Sequence, residues 1–257
     1  YYGGSYDEGE AHCHPLNYAL GIAEAALSMG AKLYENSSAL SYKVSDNHVR
    51  VTTKNGSIKA DRVILACNGY LGNLEKGLTS KILPMNNYIV ATKPLDDETV
   101  KRINPRDIAF ADSRFVINYF RMSADKRLLF GGGENYSQEL SKNIVPIVTR
   151  PLEKIYPFLK GVKIDYAWGG KLAITMNRLP FFKTLKNERV ISAQGYSGQG
   201  VALASYSGKI VSEKILGSGE TFDLMAKIPR QSFPGGRFLR NPSMKLGMLY
   251  YSLLDRI

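Results

Sequence analysis

The stretch VISAQGYSGQGVALASYSGK, residues Val190 to Lys209, combines three features in a short space. It begins with an apolar run, passes through a glycine-rich turn and ends in small and apolar residues at helical spacing. A strand that enters a helix through glycines is the shape of a phosphate-binding turn, because the first N–H groups of the helix stay unbonded. The stretch therefore raises the question of which part of a nucleotide it could hold.

The dinucleotide fingerprint G-x-G-x-x-G is only half present in this turn. Gly198 and Gly200 match its first two positions, but Leu203 stands at the third. No acidic residue ends a second strand about twenty positions later, where one would bind a ribose. We therefore exclude the pyrophosphate role. Two interpretations stay equally open: a helix N-terminus that faces an electron-rich ligand, and a turn in which glycines only permit a tight bend.

The composition is that of a globular protein. The 257 residues are 44% hydrophobic and 22% charged, with no apolar run long enough to cross a bilayer and no recognisable signal peptide. A cytosolic protein is expected. Cys13 and Cys67 form no CxxC pair and are expected to be free thiols. His12, Cys13 and His14 lack a carboxylate cluster, so no metal site is expected, and His12 is expected to make a structural hydrogen bond.

The net charge of +11 comes from 34 basic and 23 acidic residues, most of them scattered along the chain. Scattered charge favours a solvated surface over a specific nucleic-acid site. The tail, residues 226–257, is the exception and is predicted to suit contact with an anionic surface. Its basic residues are Lys227, Arg230, Arg237, Arg240, Lys245 and Arg256.

The first part of the chain predicts a helix followed by short strands. Apolar residues at helical spacing predict a helix from Pro15 to Met29, with Gly30 as its stop. Short strands are predicted in the segments 31–35, 38–44, 48–53 and 57–66, with a hairpin at Asn55-Gly56. The almost fully apolar run 62–72 predicts a buried parallel strand that ends at a ligand edge.

The middle of the chain has a different pattern. Segments 86–95, 108–123, 126–133 and 162–175 are rich in aromatic and β-branched residues, which predicts antiparallel strands, and 143–158 predicts a helix. The expected fold is mixed α/β, with an incomplete Rossmann-like nucleotide-binding domain interrupted by an antiparallel substrate domain. Residues 1–82 and 181–225 are assigned to the first domain, although the start of the chain could cross from the second, and 83–180 to the second.

Several sequence blocks together resemble the FAD-dependent D-amino-acid oxidase superfamily, and most closely its γ-glutamylputrescine oxidoreductase branch. The most specific blocks are DYAWGG at 165–170, the S-G-x-G turn at 197–200 and FPGGRFLR at 233–240. The resemblance covers the C-terminal portion of such enzymes, without their N-terminal G-x-G-x-x-G element. It implies that this chain alone binds non-covalent FAD weakly or not at all, and that a separate N-terminal FAD-binding portion is a possible partner.

The resemblance also implies cofactor contacts for two turns and one strand start. The S-G-x-G turn would approach the pyrimidine edge of the flavin, with Gln199 in place of the common His. The cofactor residues implied are Ala39, Ala66, Asn68, Gly69, Leu71, Gly195, Tyr196, Ser197, Gly198, Gln199, Gly200 and Val201.

The substrate side is expected on two strands of the antiparallel block. The residues implied are Tyr119, Arg121, Trp168, Gly169 and Gly170. For Tyr119 and Trp168 a place in the core is the stronger alternative, and Arg121 could pair a carboxylate or face solvent. Leu129 stands where related sarcosine oxidases have a lysine that helps oxygen react, so fast reaction with oxygen is not expected.

The activity implied is oxidation of the C–N bond of an amine or amino acid, with hydride transfer to the flavin and no dedicated catalytic base. Catalytic residues are therefore not assigned. A γ-glutamylated polyamine is the substrate suggested by the branch. Two alternatives stay open: a non-catalytic remnant or subunit that lacks FAD, and, less favoured, a flavoprotein domain that modifies tRNA.

Overall fold

A computed structural model describes residues 3–114, 116–135 and 139–234, together with residues 236, 239, 242 and 246; for residues 134 and 135 it describes the backbone only. The predicted basic positions Arg237, Arg240, Lys245 and Arg256 lie outside the described residues. The helices are α1 (Pro15–Ser28), α2 (Lys76–Thr79), α3 (Asp97–Ile103), α4 (Val145–Ile155), α5 (Gly200–Leu216) and α6 (Glu220–Lys227).

Three sheets contain the strands of the described residues, with the orders β1-β2-β3, β10-β11-β4 and β6-β7-β8-β5-β9. The strands are β1 (Ser41–Val44), β2 (Val49–Thr52), β3 (Ser57–Ala60), β4 (Val63–Leu65), β5 (Leu83–Thr92), β6 (Phe110–Ala111), β7 (Tyr119–Met122), β8 (Leu128–Asn135), β9 (Ile164–Ile174), β10 (Phe181–Leu185) and β11 (Val190–Gln194). The mixed α/β class expected from the sequence is confirmed.

The five-stranded sheet is antiparallel throughout, as its aromatic and β-branched pattern predicts. One of its faces packs against α4 and forms the largest apolar cluster. Tyr88, Val90, Phe130 and Leu152 are fully buried there. The rings of Phe120 and Phe130 stack at 5.2 Å between centroids. This core holds the backbone of the sheet in place. The face of the sheet opposite α4 therefore has a defined shape.

The sheet β10-β11-β4 brings together a strand from the first third of the chain, β4, and two strands from its last third, β10 and β11. β11 runs parallel to β4, with Ile191 opposite Ile64. α5 and α6 cover one face of this sheet through Phe182, Ile191 and Phe222. The parallel pairing places the turn after β4 and the turn after β11 at the same sheet edge, because the carboxyl ends of parallel strands meet there.

The N-terminal predictions are confirmed in part. α1 ends one residue before its predicted end, at Ser28, and Gly30 follows at φ +90°. β2 and β3 form the predicted hairpin, closed by a hydrogen bond from Thr53 N to the carbonyl of Gly56. The strand prediction for 31–35 is wrong for the described fold, because no neighbouring strand is present among the described residues to pair with this segment.

The side chains around α1 make local contacts. His14 caps the helix by accepting a hydrogen bond from Asn17 N at 3.3 Å. His12 donates its Nε2 proton to the carbonyl of Asp107 at 2.9 Å, which is the structural role predicted for it. Cys13 and Cys67 are free thiols, and burial raises the pKa of Cys67. In the described part of the chain, no helix has the length and apolar character that a membrane span requires.

Candidate functional site

Two turns predicted to hold the cofactor lie side by side. Asn68 stands after β4 and Gly195 stands after β11. Gly195 N donates a hydrogen bond of 3.1 Å to Asn68 Oδ1. Both residues have left-handed backbone, with φ +47° at Asn68 and φ +79° at Gly195. Asparagine and glycine are the residues that adopt this conformation most readily. The structure thus joins two segments that are 127 residues apart.

The turn after β11 is also tied to the end of β9. Ser197 N donates to the carbonyl of Ala173 at 2.9 Å, and Ser197 Oγ accepts from Thr175 N at 3.3 Å. A Cβ atom on Gly195 would lie 2.6 Å from Thr175 Cγ2, and the positive φ also disfavours a side chain, so this position favours glycine. Ser197 itself has φ +52°. Tertiary contacts, together with the glycines, therefore determine the shape of this turn.

The N-terminus of α5 presents backbone donors. Gln199 is its N-cap residue, and its side chain makes no capping hydrogen bond. Gly198, at φ +100°, has open space where a Cβ atom would stand, and Val201 in the first turn is exposed. Uncapped N–H groups and the helix dipole favour negative charge at this point. This donor set fits the electron-rich pyrimidine edge of a flavin.

The turn after β4 contacts the strand that carries the predicted substrate residues. A Cβ atom on Gly69 would lie 2.8 Å from the carbonyl oxygen of Lys171, so only glycine allows this approach. Lys171 N donates a hydrogen bond of 3.0 Å to Tyr70 Oη. Tyr70 Oη would also lie 3.7 Å from a Cβ on Gly170. The predicted cofactor and substrate segments therefore meet at β9.

The predicted substrate residues share one face of the five-stranded sheet. Residues directly opposite one another in adjacent strands point to the same side. Tyr119 pairs with Gly131, Gly131 with Ile89, and Ile89 with Trp168. In the next row along this face, Arg121 pairs with Leu129. The face is opposite the core packed on α4.

The core alternative is wrong for Trp168, because its side chain is 44% exposed. Gly170 pairs with Asn87 and lies on the same face as Trp168. Gly169 belongs to the opposite face, where a Cβ atom would lie 2.7 Å from the ring of Tyr88. The adjacent glycines of the DYAWGG block therefore have different roles. Gly170 leaves space on the exposed face, while Gly169 permits close core packing.

Tyr119 is half-buried and held by a residue that the sequence pattern does not reveal. Its hydroxyl donates a short hydrogen bond to Asn87 Oδ1, and Asn87 is buried. Its ring lies over Gly131, where an added Cβ atom would approach Tyr119 Cζ to 2.1 Å. The signal for Asn87 is a pair of asparagines, Asn86 and Asn87, in a mostly apolar strand. Its partner lies 32 residues away and could not be found from spacing.

Arg121 is half-buried on this face, and its Nη1 donates to the carbonyl of Met122 at 3.2 Å. Among the residues whose side chains are described, no carboxylate lies within 4 Å of its guanidinium. The remaining N–H groups of a guanidinium match the two oxygens of a carboxylate. Arg121 is thus available to an anionic group that reaches this face.

Gln194 is a second polar residue that the sequence analysis missed. It ends β11, is fully buried and donates from Nε2 to Ser192 Oγ at 2.9 Å. Its Oε1 atom has no hydrogen-bond partner among the described residues. A buried acceptor without a donor is costly, so a ligand that donates a hydrogen bond beside the turn after β11 would be favoured.

For the other predicted cofactor residues, the structure gives weaker support for a contact between side chain and cofactor. Ala66 is exposed just after β4, and Ala39 is exposed in the segment before β1, with no hydrogen bond to either turn among the described residues. Leu71 and Tyr196 point into the protein interior and are buried. Burial raises the pKa of Tyr196, whose hydroxyl donates to the carbonyl of Ala193. Any contact of these two residues with a cofactor would use their backbone.

Comparisons with known proteins identify the family of the chain. The whole chain aligns at 41% identity with the probable oxidoreductase OrdL of Rhizobium meliloti strain 1021, and at 37% identity with γ-glutamylputrescine oxidoreductase of Escherichia coli strain K12. It spans 59% and 60% of the lengths of these relatives. The predicted resemblance to this branch is confirmed.

A solved structure gives the same fold. L-proline dehydrogenase from P. horikoshii is similar with a TM-score of 0.66 at 24% identity, over 84% of this chain and 57% of that one. Residues 1–214 match the family described as FAD dependent oxidoreductase. The chain therefore belongs to the family of FAD-dependent oxidoreductases.

Proposed function

We propose that the protein acts as an FAD-dependent oxidoreductase on the C–N bond of an amine or amino acid that carries a carboxylate, of the γ-glutamylputrescine type. The observation that supports this most is the meeting of two surfaces at β9. One is the donor-rich turn after β11, which is hydrogen-bonded to the end of β9 through Ser197, and the other is the sheet face that carries Arg121. The division at residues 82, 180 and 225 and the cytosolic location stay predictions.

FAD, when bound, supplies the acceptor for a hydride from the carbon next to the amine nitrogen. The residues after β11 would hold its pyrimidine edge through the N–H groups of Gly198, Gly200 and Val201. Negative charge at that edge would be stabilised by the N-terminus of α5. Asn68 keeps this turn in place by its hydrogen bond to Gly195 N.

Arg121 would bind the substrate carboxylate and so fix which carbon faces the cofactor. Tyr119 and Trp168 would flank the substrate on the same sheet face and exclude water, which favours the neutral amine. The oxidised substrate is an imine, and water hydrolyses it to an aldehyde or keto product and an amine. Leu129, opposite Arg121, adds no positive charge, so rapid reaction with oxygen is not expected.

The carboxylate proposal is tested with Arg121→Gln in the FAD-loaded protein. A charge-assisted hydrogen bond is worth about 1.5–3 kcal/mol, so KM for γ-glutamylputrescine should rise roughly ten- to a hundred-fold. KM for putrescine, which has no carboxylate, should stay unchanged. Arg114→Gln is the matched control, because Arg114 lies outside this sheet face. Equal losses for both substrates, or none, would rule out the proposed role of Arg121.

A further inference from the structure

A pocket lies between α4 and the segment that joins β6 to β7, on the side of the five-stranded sheet opposite Arg121. Its volume is about 370 Å³, which is enough for a small organic molecule. Three of its lining residues are basic, one is a polar amide and two are apolar. They are Arg114, Asn118, Arg150, Pro151, Lys154 and Ile155. We call this cavity the basic pocket.

One wall of the basic pocket is fixed by a buried carboxylate. The Asp112 side chain is 2% exposed, and it accepts hydrogen bonds from Asn118 N at 2.9 Å and from Asn118 Nδ2 at 2.7 Å. Arg114 N donates to the same carboxylate at 3.3 Å. The Arg114 guanidinium comes no closer to it than 3.9 Å, measured from Nε. The backbone of Arg114 is therefore held at the pocket, while its charge is only weakly compensated.

The other wall belongs to α4, which Leu152 anchors in the apolar core. Arg150 and Lys154 are exposed and lie one helical turn apart, where like charges repel. The neighbouring Glu153 accepts a hydrogen bond from Gly161 N at 3.1 Å. Among the side chains that the structure describes, no carboxylate lies within 4 Å of Arg150 or Lys154. Two packed elements thus hold uncompensated positive charges around one cavity.

The charge and the lining indicate the chemistry of a ligand. Three basic side chains and the single negative charge of Asp112 leave a formal charge of +2 at the pocket. A phosphate monoester carries close to two negative charges at neutral pH and offers three strong acceptor oxygens. A single carboxylate would leave half of this positive charge uncompensated. Pro151 and Ile155 are half-buried and offer apolar contact to the carbon part of a ligand.

We propose that the basic pocket binds the phosphate monoester of a small, partly apolar molecule. Arg114 and Arg150 would each direct N–H groups at phosphate oxygens, and Lys154 would add an ammonium group. The proposal goes beyond the proposed function and depends neither on the cofactor nor on the amine. Because the pocket and Arg121 are on opposite faces of the sheet, substitutions in the pocket should leave KM for amines unchanged when no phosphate ester is present.

The test is a calorimetric titration of the 257-residue chain with phenyl phosphate, which joins a dianion to an apolar ring. We expect saturable one-to-one binding that weakens as the salt concentration rises. Benzoate places one negative charge on the same ring and should bind about tenfold more weakly or less. Amide chemical shifts measured by NMR during the titration should change most at residues 114, 118, 150 and 154.

Variants locate the site. Arg150→Gln combined with Lys154→Gln should weaken phenyl phosphate binding about tenfold or more, because two charge-assisted hydrogen bonds are lost. Lys59→Gln combined with Arg62→Gln is the matched control, since it removes the same two charges from exposed positions outside the pocket. The control should bind like the parent chain. Both double variants should keep the melting temperature of the parent, since all four side chains are exposed.

The proposal is overturned if the parent chain shows no saturable binding, or if the chemical shifts change at residues away from the pocket. Equal binding by the parent and by the Arg150→Gln, Lys154→Gln variant would also overturn it. Equal losses in both double variants would show attraction to the overall charge of the chain rather than a site. Binding of benzoate or of the dicarboxylate succinate as tight as that of phenyl phosphate would contradict the phosphate assignment.

Discussion

The five-stranded sheet and the pair of elements α1 and β4 contain the same kinds of apolar side chain in different surroundings. Phe130 and Leu152 in the first are fully buried, whereas Leu20 and Ile64 in the second are about half exposed. Hydrophobic free energy depends on the area removed from water, so burial stabilises the first region more than the second. The difference teaches that the stability of the described fold depends mainly on the core of the five-stranded sheet.

Truncation of a core aromatic side chain should give the largest difference in unfolding free energy between the two regions. Phe130→Ala removes a fully buried ring stacked on Phe120, and should lower the free energy of unfolding by about 3–5 kcal/mol. Leu20→Ala removes an equally apolar side chain from α1 and should change it by less than about 0.5 kcal/mol. Urea unfolding measures both. Comparable losses would mean that α1 is already part of a packed core.

The contact between the turn after β4 and β9 should show an intermediate effect. Gly69→Ala places a Cβ atom 2.8 Å from a backbone carbonyl that cannot move alone, and should cost about 1–3 kcal/mol of unfolding free energy. Gly56→Ala in the β2–β3 hairpin has open space and is the control. A stable Gly69→Ala variant with unchanged melting temperature would show that this turn is not held against β9.

The smallest effect concerns acid sensitivity at the rim of the five-stranded sheet. Hydrogen bonds from Arg127, then Lys163, hold the pKa of Asp165 below its usual range. Because that pKa is lower in the folded state, the stabilisation is present above the unfolded pKa and is lost as pH falls through the folded one. The melting temperature of Asp165→Asn should therefore approach that of the parent chain as the pH falls from neutral to acid.

Asp97→Asn is the control for this titration, since the Asp97 carboxylate is largely exposed and pairs with Lys126 at the surface. A parent–Asp165→Asn difference that is constant with pH would contradict the linkage.

The parts of this fold that could be predicted from the sequence are those that depend on local sequence pattern. α1, the β2–β3 hairpin and the passage from β11 to α5 depend on helical spacing and on turn residues, and all three were predicted. The failed strand at 31–35 depends on a neighbour, which sequence periodicity does not supply. The same limit applies to the site, where the link between Asn68 and Gly195 and the pair formed by Asn87 and Tyr119 are long-range contacts.

A titration with FAD, followed by flavin fluorescence, tests most directly the claim that the turns after β4 and β11 form one edge of the cofactor site. Asn68→Ala removes the hydrogen bond from Gly195 N that joins the two turns. It should weaken FAD binding relative to the parent chain, because the backbone donors after β11 lose their fixed position. Equal FAD binding by the parent and by Asn68→Ala would contradict the claim.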